Sequence, residues 1–166
     1  SATEFRSSGF GTMNLFANGR VELASGSAVD AVAGAALNVT AGEITIGGRI
    51  RAAGGQVNLA ARVTDYLPGD VIPDRPTPAY PNIVLSPQAR VDVSGLWLNE
   101  SLTATGAPGS PLLAPAYINA GSVSLSTAQA KLDAGSIVDV SGGGKFSSGR
   151  RFTAGDAGKI TIRTGV

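Results

Sequence analysis

Short triplets of the form apolar–x–apolar, most of them bracketed by glycine or a small polar residue, recur along the whole chain. The clearest example is NIVLSPQARVDVSG over residues 82–95, and a close copy follows as GSVSLS over 121–126 and SIVDVSGG over 136–143. Alternation of this kind places two side chains of a triplet on one face and one on the other, as in a half-buried strand. An internal repeat of short strands limits the fold more strongly than any single residue does.

Strands of three residues are too short to form a stable hairpin on their own. They become stable when each strand pairs in register with its counterpart in the next turn of a coil, because the inward Val, Ile and Leu side chains then stack and the backbone amides pair between coils. The sequence therefore predicts an all-β parallel β-helix, a solenoid of about five coils with about 20 residues in each. The predicted strand triplets are Met13–Leu15, Val21–Leu23, Leu37–Val39, Ile44–Ile46, Val57–Leu59, Ile83–Leu85, Val91–Val93, Val123–Leu125, Val138–Val140 and Ile160–Ile162.

One stretch leaves an alternative open. Residues Ala28–Leu37 read AVDAVAGAAL, which is rich in alanine and compatible with a turn of amphipathic helix. The stretch is short and lies between strand triplets, so we favour continued strands there.

Three segments interrupt the repeat and are predicted to form surface excursions that leave the solenoid and return to it. They span about residues 64–81, 96–120 and 144–157; the first two are rich in proline, and the third is basic and rich in glycine. Proline cannot donate a hydrogen bond to a strand ladder, so such segments lie outside the stack. We expect residues 1–166 to form a single β-helix segment, internal to a longer chain because both ends read as the middle of a repeat.

The composition excludes several classes of function. A net charge of +1 provides no field that would attract nucleic acid, and no apolar run is long enough to insert in a membrane. The chain has no cysteine and no histidine, which excludes a disulfide scaffold, zinc-finger spacing and a Ser-His-Asp triad. Residues 1–10 contain no apolar core segment of the kind that a signal peptide has.

The acidic residues form no recognisable catalytic pattern. A cluster in the first excursion would suit calcium or a sugar acid, although loop charges of this kind commonly serve solubility; it comprises Asp65, Asp70, Asp74 and the neighbouring Arg75. Asp92 and Asp139 occupy equivalent positions in the repeat, and we expect them to stack as polar residues on the exterior. No catalytic residue, metal ligand or cofactor is predicted.

The residues best suited to binding lie in the excursions. Aromatic faces stack on sugar rings and anchor protein interfaces, and paired arginines suit an anionic glycan or a phosphate. The alternative is that the aromatic rings pin their loops to the solenoid and that the arginines belong to a solvated turn. The candidate contacts are Tyr66, Tyr80, Trp97, Tyr117, Arg150 and Arg151.

The motifs VDVSGLWLNES, YINAGSVSLS and SIVDVSGGG carry a resemblance that covers nearly the whole chain. The sequence resembles the filamentous-haemagglutinin-like large exoproteins of two-partner secretion systems in Gram-negative bacteria. The resemblance implies a right-handed β-helix, export in the unfolded state through an outer-membrane transporter, and a secreted, cell-surface location.

A structural and adhesive role follows from the same resemblance, with a stiff shaft whose loops contact a host or bacterial surface, through glycan or protein, or take part in biofilm. It implies no catalytic residues, and we expect no enzyme activity. Two alternatives stay open: a self-assembling extracellular fibre subunit whose ends stack, and a glycan-acting β-helix enzyme of the polysaccharide lyase or hydrolase kind, which would need several carboxylates to converge.

Overall fold

The structure of the chain is a computed structural model that describes residues 10–62, 81–99, 117–147 and 150–165. All regular elements in these ranges are β-strands, and none of them contains an apolar helix of membrane-spanning length. The strands are β1 (Thr12–Phe16), β2 (Arg20–Leu23), β3 (Ala28–Asp30), β4 (Ala36–Ala41), β5 (Glu43–Ile46), β6 (Arg49–Arg51), β7 (Gln56–Ala61), β8 (Asn82–Leu85), β9 (Arg90–Asp92), β10 (Trp97–Asn99), β11 (Ser122–Thr127), β12 (Gln129–Leu132), β13 (Ile137–Asp139), β14 (Gly144–Phe146), β15 (Phe152–Ala154) and β16 (Lys159–Thr164).

Thirteen of these strands form three parallel sheets. Sheet A has the order β1-β4-β7-β11-β16, sheet B the order β2-β5-β8-β12, and sheet C the order β3-β6-β9-β13. Along the chain the strands therefore alternate A, B, C and then return to A, so that each passage adds one strand to each sheet. We call these passages layers: layer one is β1–β3, layer two β4–β6, layer three β7–β9 and layer four β11–β13.

The register between layers follows the sequence repeat. Leu37 of β4 aligns with Val57 of β7, which aligns with Val123 of β11, and that residue aligns with Ile160 of β16. Apolar residues thus stand over apolar residues through successive layers, as the triplets predicted. A slip by one residue would turn every side chain to the other face, so the pattern specifies the register strongly.

The inward side chains of the three sheets meet in one hydrophobic cluster of Val, Leu, Ile and Ala. Burying each of the larger aliphatic side chains stabilises the fold by about 1.5–3 kcal/mol. The side chains that are almost wholly buried are Ile44, Val57, Leu59, Ile83, Leu85, Val91, Val93, Val123 and Leu125. They lie in layers two and three and on β11, where the strands have a neighbouring strand on each side.

The outermost strands of sheet A leave their inward residues half exposed. Leu15 on β1 is 43% exposed, and Ile162 on β16 is 46% exposed, whereas Leu59 in the same column is buried. The difference arises because, among the described residues, β1 and β16 each pair with a strand on one side only.

Polar side chains also stack from layer to layer on the outer faces. On sheet A, Asn38 donates a side-chain hydrogen bond to Asn14 over 2.7 Å, and Asn58 donates to Asn38 over 2.8 Å. On sheet C, Arg49 pairs with Asp30 at 2.9 Å, and Arg90 pairs with Asp139 at 3.4 Å. Half-exposed ion pairs of this kind each contribute below about 1 kcal/mol.

Glycine shapes the corner between sheets B and C. In layer two this corner is Gly47-Gly48, and a Cβ on Gly48 would overlap the carbonyl oxygen of Ser27 in layer one. Because these two residues carry no side chains, Gln88 of layer three approaches Ser25 of layer one. The Ser25 hydroxyl donates a hydrogen bond to the side-chain oxygen of Gln88 over 2.8 Å.

The repeated VDVS motif forms the same turn twice. Asp92 accepts hydrogen bonds from the backbone N–H of Ser94 at 3.1 Å and from its hydroxyl at 2.6 Å. Asp139 accepts the same two bonds from Ser141, at 3.0 and 2.7 Å. An acidic side chain that bonds two residues onward is a local turn device. The predicted stacking of the two acids is confirmed, but Asp92 is only 8% exposed and is not a solvated exterior residue.

Every predicted triplet coincides with a strand or overlaps one, and the all-β, parallel-stranded part of the prediction is confirmed. The helical alternative for Ala28–Leu37 is wrong, because Ala28–Asp30 is β3 and Ala36 begins β4. The excursion at 64–81 lies almost wholly outside the described residues. Parts of the other two form additional strands, β10 within 96–120 and β14 with β15 within 144–157.

Candidate functional site

A small three-stranded sheet stands apart from the three stacked sheets. It has the order β10-β14-β15, in which β10 is parallel to β14 and β14 is antiparallel to β15. We call it the lateral sheet. β10 follows the VDVSG motif of layer three, and β14 follows the corresponding VDVSGG motif of layer four, so the repeat itself brings the two strands side by side.

One face of the lateral sheet carries three aromatic rings. Trp97, Phe146 and Phe152 lie on the same face, since Trp97 aligns with Gly144, and Phe146 with Phe152, two residues further along. The rings of Trp97 and Phe152 stack with centroids 6.2 Å apart and planes 19° apart. Gly144 lies under this pair, because a Cβ there would come within 2.7 Å of the Phe152 ring and 3.0 Å of the Trp97 ring.

These rings are open to solvent to an unusual degree for their size. Trp97 is 73% exposed, Phe152 56% and Phe146 37%. Together with Leu98, Asn99 and Gly144 they line a shallow cleft of about 230 Å³. Aromatic rings stabilise protein cores and interfaces when they are buried. A cluster of rings that the fold leaves exposed is therefore a candidate area for contact with another molecule.

The outer edge of β15 has no neighbouring strand among the described residues. Gly155 donates its N–H to the carbonyl oxygen of Gly143, and Ser147 donates to that of Arg151. In an antiparallel pair the backbone groups of alternate residues face the partner strand, so Arg151, Thr153 and Gly155 face β14. The backbone N–H and C=O groups of Phe152 and Ala154 consequently point away from β14 toward this edge. The edge ends at Asp156, whose C=O accepts from Ala120 and whose N–H donates to the Asn119 side chain.

The β14–β15 hairpin presents two arginines at its tip. Arg150 has a φ of 57°, and its N–H donates to the Ser147 carbonyl oxygen at 3.0 Å. An L-residue pays roughly 1–2 kcal/mol for this left-handed conformation. Arg151 is exposed beside it. Lys145 is the third charged residue of the lateral sheet and its tip, and the described residues of this region include no acid before Asp156.

The segment Tyr117–Ala120 joins the lateral sheet to the stacked layers. Leu96 donates its N–H to the Tyr117 carbonyl oxygen, and Gly143 donates to that of Ile118, both at 2.7 Å. The approach is so close that a Cβ on Gly95 would overlap the Ile118 carbonyl oxygen. The glycine that follows VDVS is therefore required by this crossing segment.

The structure brings together three of the six predicted contact residues. Trp97, Arg150 and Arg151 belong to the lateral sheet and its tip. The ring of Tyr117 instead lies against Gly34 and Gly54 on the flank of the stacked layers, where a Cβ on either glycine would meet it, so this tyrosine fixes its segment to the layers. Tyr66 and Tyr80 lie outside the described residues.

Sequence reasoning missed the other two rings of the site. Phe146 and Phe152 flank the basic turn at 147–151, and two aromatic residues at equal distances from a glycine-containing turn are a hairpin signal. The basic, glycine-rich composition of 144–157 predicts a surface excursion, whereas the structure has the strands β14 and β15 there.

Acidic groups do not converge within the described residues, where no three Asp or Glu side chains are grouped so as to hold a metal ion. The cluster Asp65, Asp70 and Asp74 lies outside these ranges. Asp139 has a pKa below its usual value, mainly because the Ser141 hydroxyl and backbone N–H bond its carboxylate, with Arg90 adding a smaller effect against the opposing effect of burial. This perturbation belongs to the turn described above.

Comparisons of the chain with protein-family models, with curated proteins and with solved structures give no match.

Proposed function

We propose that the chain is a structural and adhesive segment of a secreted, cell-surface exoprotein of a Gram-negative bacterium, with a right-handed β-helix as the shaft. The observation that carries this proposal is the pairing of in-register parallel layers with a lateral sheet that holds exposed rings outside the core. The layers supply rigidity, and the lateral sheet supplies contact groups.

The shaft role rests on the hydrogen bonds and the side-chain packing between layers. Each strand of layers two and three is hydrogen-bonded to a strand on both sides, and the aliphatic columns and the asparagine ladder run in the same direction. Stability in such a stack accumulates layer by layer. Separating two layers would require breaking all three ladders at once.

The location rests on the sequence resemblance and on composition. A chain without cysteine forms no disulfides that would hinder passage of the unfolded polypeptide through an outer-membrane transporter. A test is to fuse the secretion domain of a two-partner exoprotein to this chain and to co-express the matching transporter. We expect folded chain in the medium, and retention in the periplasm would contradict the proposal.

The adhesive role is tested with beads coated with the purified chain, flowed over bacterial or epithelial cell layers. We expect the beads to be retained, and we expect Trp97→Ala to lower retention, because that ring is the most exposed of the three. Phe16→Ala is the matched control, since Phe16 is also an exposed ring but lies on β1. Equal retention of uncoated beads would refute adhesion.

A second candidate is a fibre subunit that associates end to end. The half-exposed Leu15 on β1 and Ile162 on β16 favour it, because both are inward positions whose strands have a neighbour on one side only in the described part of the chain. Analytical ultracentrifugation over a wide range of concentration tests it. Growing assemblies that Ile162→Ser abolishes would support a fibre, and a monomer at every concentration would exclude it.

A further inference from the structure

Three features coincide at the outer edge of β15. The outward backbone groups of Phe152 and Ala154 have no neighbouring strand among the residues that the structure describes. An aromatic cleft adjoins them on one face, and two arginines lie at one end. An exposed strand edge pairs readily with another extended chain, and proteins usually protect such edges. Within the described ranges this edge is protected near Asp156 alone, where Asn119 and Ala120 bond the outward groups.

The side chains around this edge specify what would pair with it. A strand added beside β15 alternates its side chains between the two faces, so every second residue would lie beside Phe152 and the Trp97 ring. Apolar residues suit those positions. The charged residues that the structure describes in the lateral sheet and its tip are all cationic, namely Lys145, Arg150 and Arg151. Carboxylates therefore suit the end of the strand that passes the tip.

We propose that the β15 edge binds an extended acidic peptide segment of another protein as an added strand, with an apolar side chain in the aromatic cleft and carboxylates at Arg150 and Arg151. Strand addition draws affinity from main-chain hydrogen bonds and specificity from alternate side chains. The inference goes beyond the shaft role and does not depend on it, since the edge exists whatever the location of the chain.

A second copy of the chain fits this edge less well. Pairing of two β15 strands about a twofold axis at Thr153 would set Arg150 of one copy opposite Asp156 of the other. The backbone groups of Asp156 on that side are already bonded to Asn119 and Ala120. The end of the edge near Asp156 is therefore occupied, and a partner strand has to extend beyond the other end, past the hairpin tip. A free peptide can do this.

The strained tip residue allows a clean test of the arginines. Arg150→Gly removes a charge and at the same time relieves the positive φ, so the hairpin is expected to be retained. Together with Arg151→Gln it removes two of the three charges. Arg163→Gln is the matched control, because Arg163 is an exposed arginine on β16, outside the lateral sheet.

The backbone part is tested at Ala154, whose N–H points to the open edge. Ala154→Pro removes that donor without removing a bond to β14, and proline is tolerated on edge strands. Ala154→Val keeps the donor and serves as its control. Circular dichroism and thermal melting of each variant establish that the layers are intact.

Binding is read from Trp97, which is the single tryptophan of the chain and lies in the cleft. The probe is a short synthetic peptide of alternating glutamate and valine, titrated into the full chain. We expect a saturable change in Trp97 emission that weakens with salt. The Arg150→Gly, Arg151→Gln double variant should weaken binding about tenfold, and Ala154→Pro should weaken it while Ala154→Val and Arg163→Gln do not.

Three comparison ligands distinguish this proposal from its rivals. A lysine–valine peptide should not bind, and a glutamate–valine peptide with methylated backbone nitrogens should bind much more weakly because it cannot complete the strand. An unchanged Trp97 emission with the acidic peptide would overturn the proposal. Equal binding of the methylated peptide, or equal binding of a sulfated oligosaccharide, would also overturn it, the latter by indicating a glycan site.

Discussion

Asn58 donates its side-chain amide to the oxygen of Asn38 over 2.8 Å, from a strand 20 residues further along the chain. Asn38 donates in turn to Asn14. The amides of three successive layers thus form one ladder on the outer face of sheet A. Such a ladder ties adjacent layers in a single register, because a slip by one residue would separate every donor from its acceptor.

The ladder predicts unequal effects of two alanine substitutions. Asn38→Ala removes both hydrogen bonds, while Asn14→Ala removes one at the exposed end. We expect Asn38→Ala to lower the free energy of unfolding by about 1–3 kcal/mol, and Asn14→Ala by about half as much. Urea denaturation followed by far-ultraviolet circular dichroism measures both. Equal losses would show that the amides do not act as a ladder.

The central column of sheet C predicts a difference between two matched aspartate substitutions. Val91 is fully buried between Ile50 and Val138, while Val138 lies on the outermost strand of that sheet and is partly exposed. Val91→Asp should cost at least about 3–5 kcal/mol, because it buries an unpaired charge, and should abolish cooperative melting.

Val138→Asp should be milder, since water reaches that position, whereas the triplet pattern alone predicts that both variants unfold the stack. Calorimetry separates the two. A cooperative transition in Val91→Asp would mean that the inward face is wrongly assigned.

The crossing of segment 117–120 predicts that Gly95 accepts no side chain. In Gly95→Ala the new methyl group would overlap the Ile118 carbonyl oxygen and press on the Gly143 nitrogen. Overpacking of this kind costs about 1–3 kcal/mol. Gly11→Ala is the control, because nothing lies within 4 Å of a Cβ there. A melting temperature of Gly95→Ala equal to that of the control would contradict the close crossing.

Asp139 predicts a pH dependence of stability. Its pKa is lowered in the folded chain, chiefly by the Ser141 hydroxyl, so its contribution is complete above the ordinary value of 3.8 and is lost as the pH falls through the folded pKa. Ser141→Ala removes the largest cause and should raise the folded pKa toward that value. We expect the variant to lose less stability than the parent between neutral and acidic pH, as measured by urea denaturation. A loss identical to that of the parent would exclude this mechanism.

The sequence predicted the stacked sheets because inward apolar pairs leave a visible period. The triplet pattern does not mark β3 and β6, since each contributes a single inward residue, Val29 or Ile50, between outward residues, and one residue makes no alternation. It also missed β12, whose inward pair is Ala130 and Leu132, because alanine is a weak strand signal.

The lateral sheet was beyond the same reasoning for a different reason. β10, β14 and β15 bury little, so their side chains show no core pattern. β10 pairs with β14 because two copies of the VDVSG turn direct the chain outward at adjacent layers. The stacking of Trp97 on Phe152 depends on the missing side chain of Gly144, which only coordinates reveal. The sequence identified Trp97, Arg150 and Arg151 individually but not their common location.

The Ser25–Gln88 hydrogen bond has a consequence for how the molecule would come apart. Models of repeat proteins usually assume that each unit interacts only with its immediate neighbours. Here Ser25 of layer one bonds Gln88 of layer three directly, because layer two has only the backbone of two glycines at this corner. Fraying of layer one therefore removes a contact of layer three as well as those of layer two. An Ising description of unfolding would need a next-nearest-neighbour term.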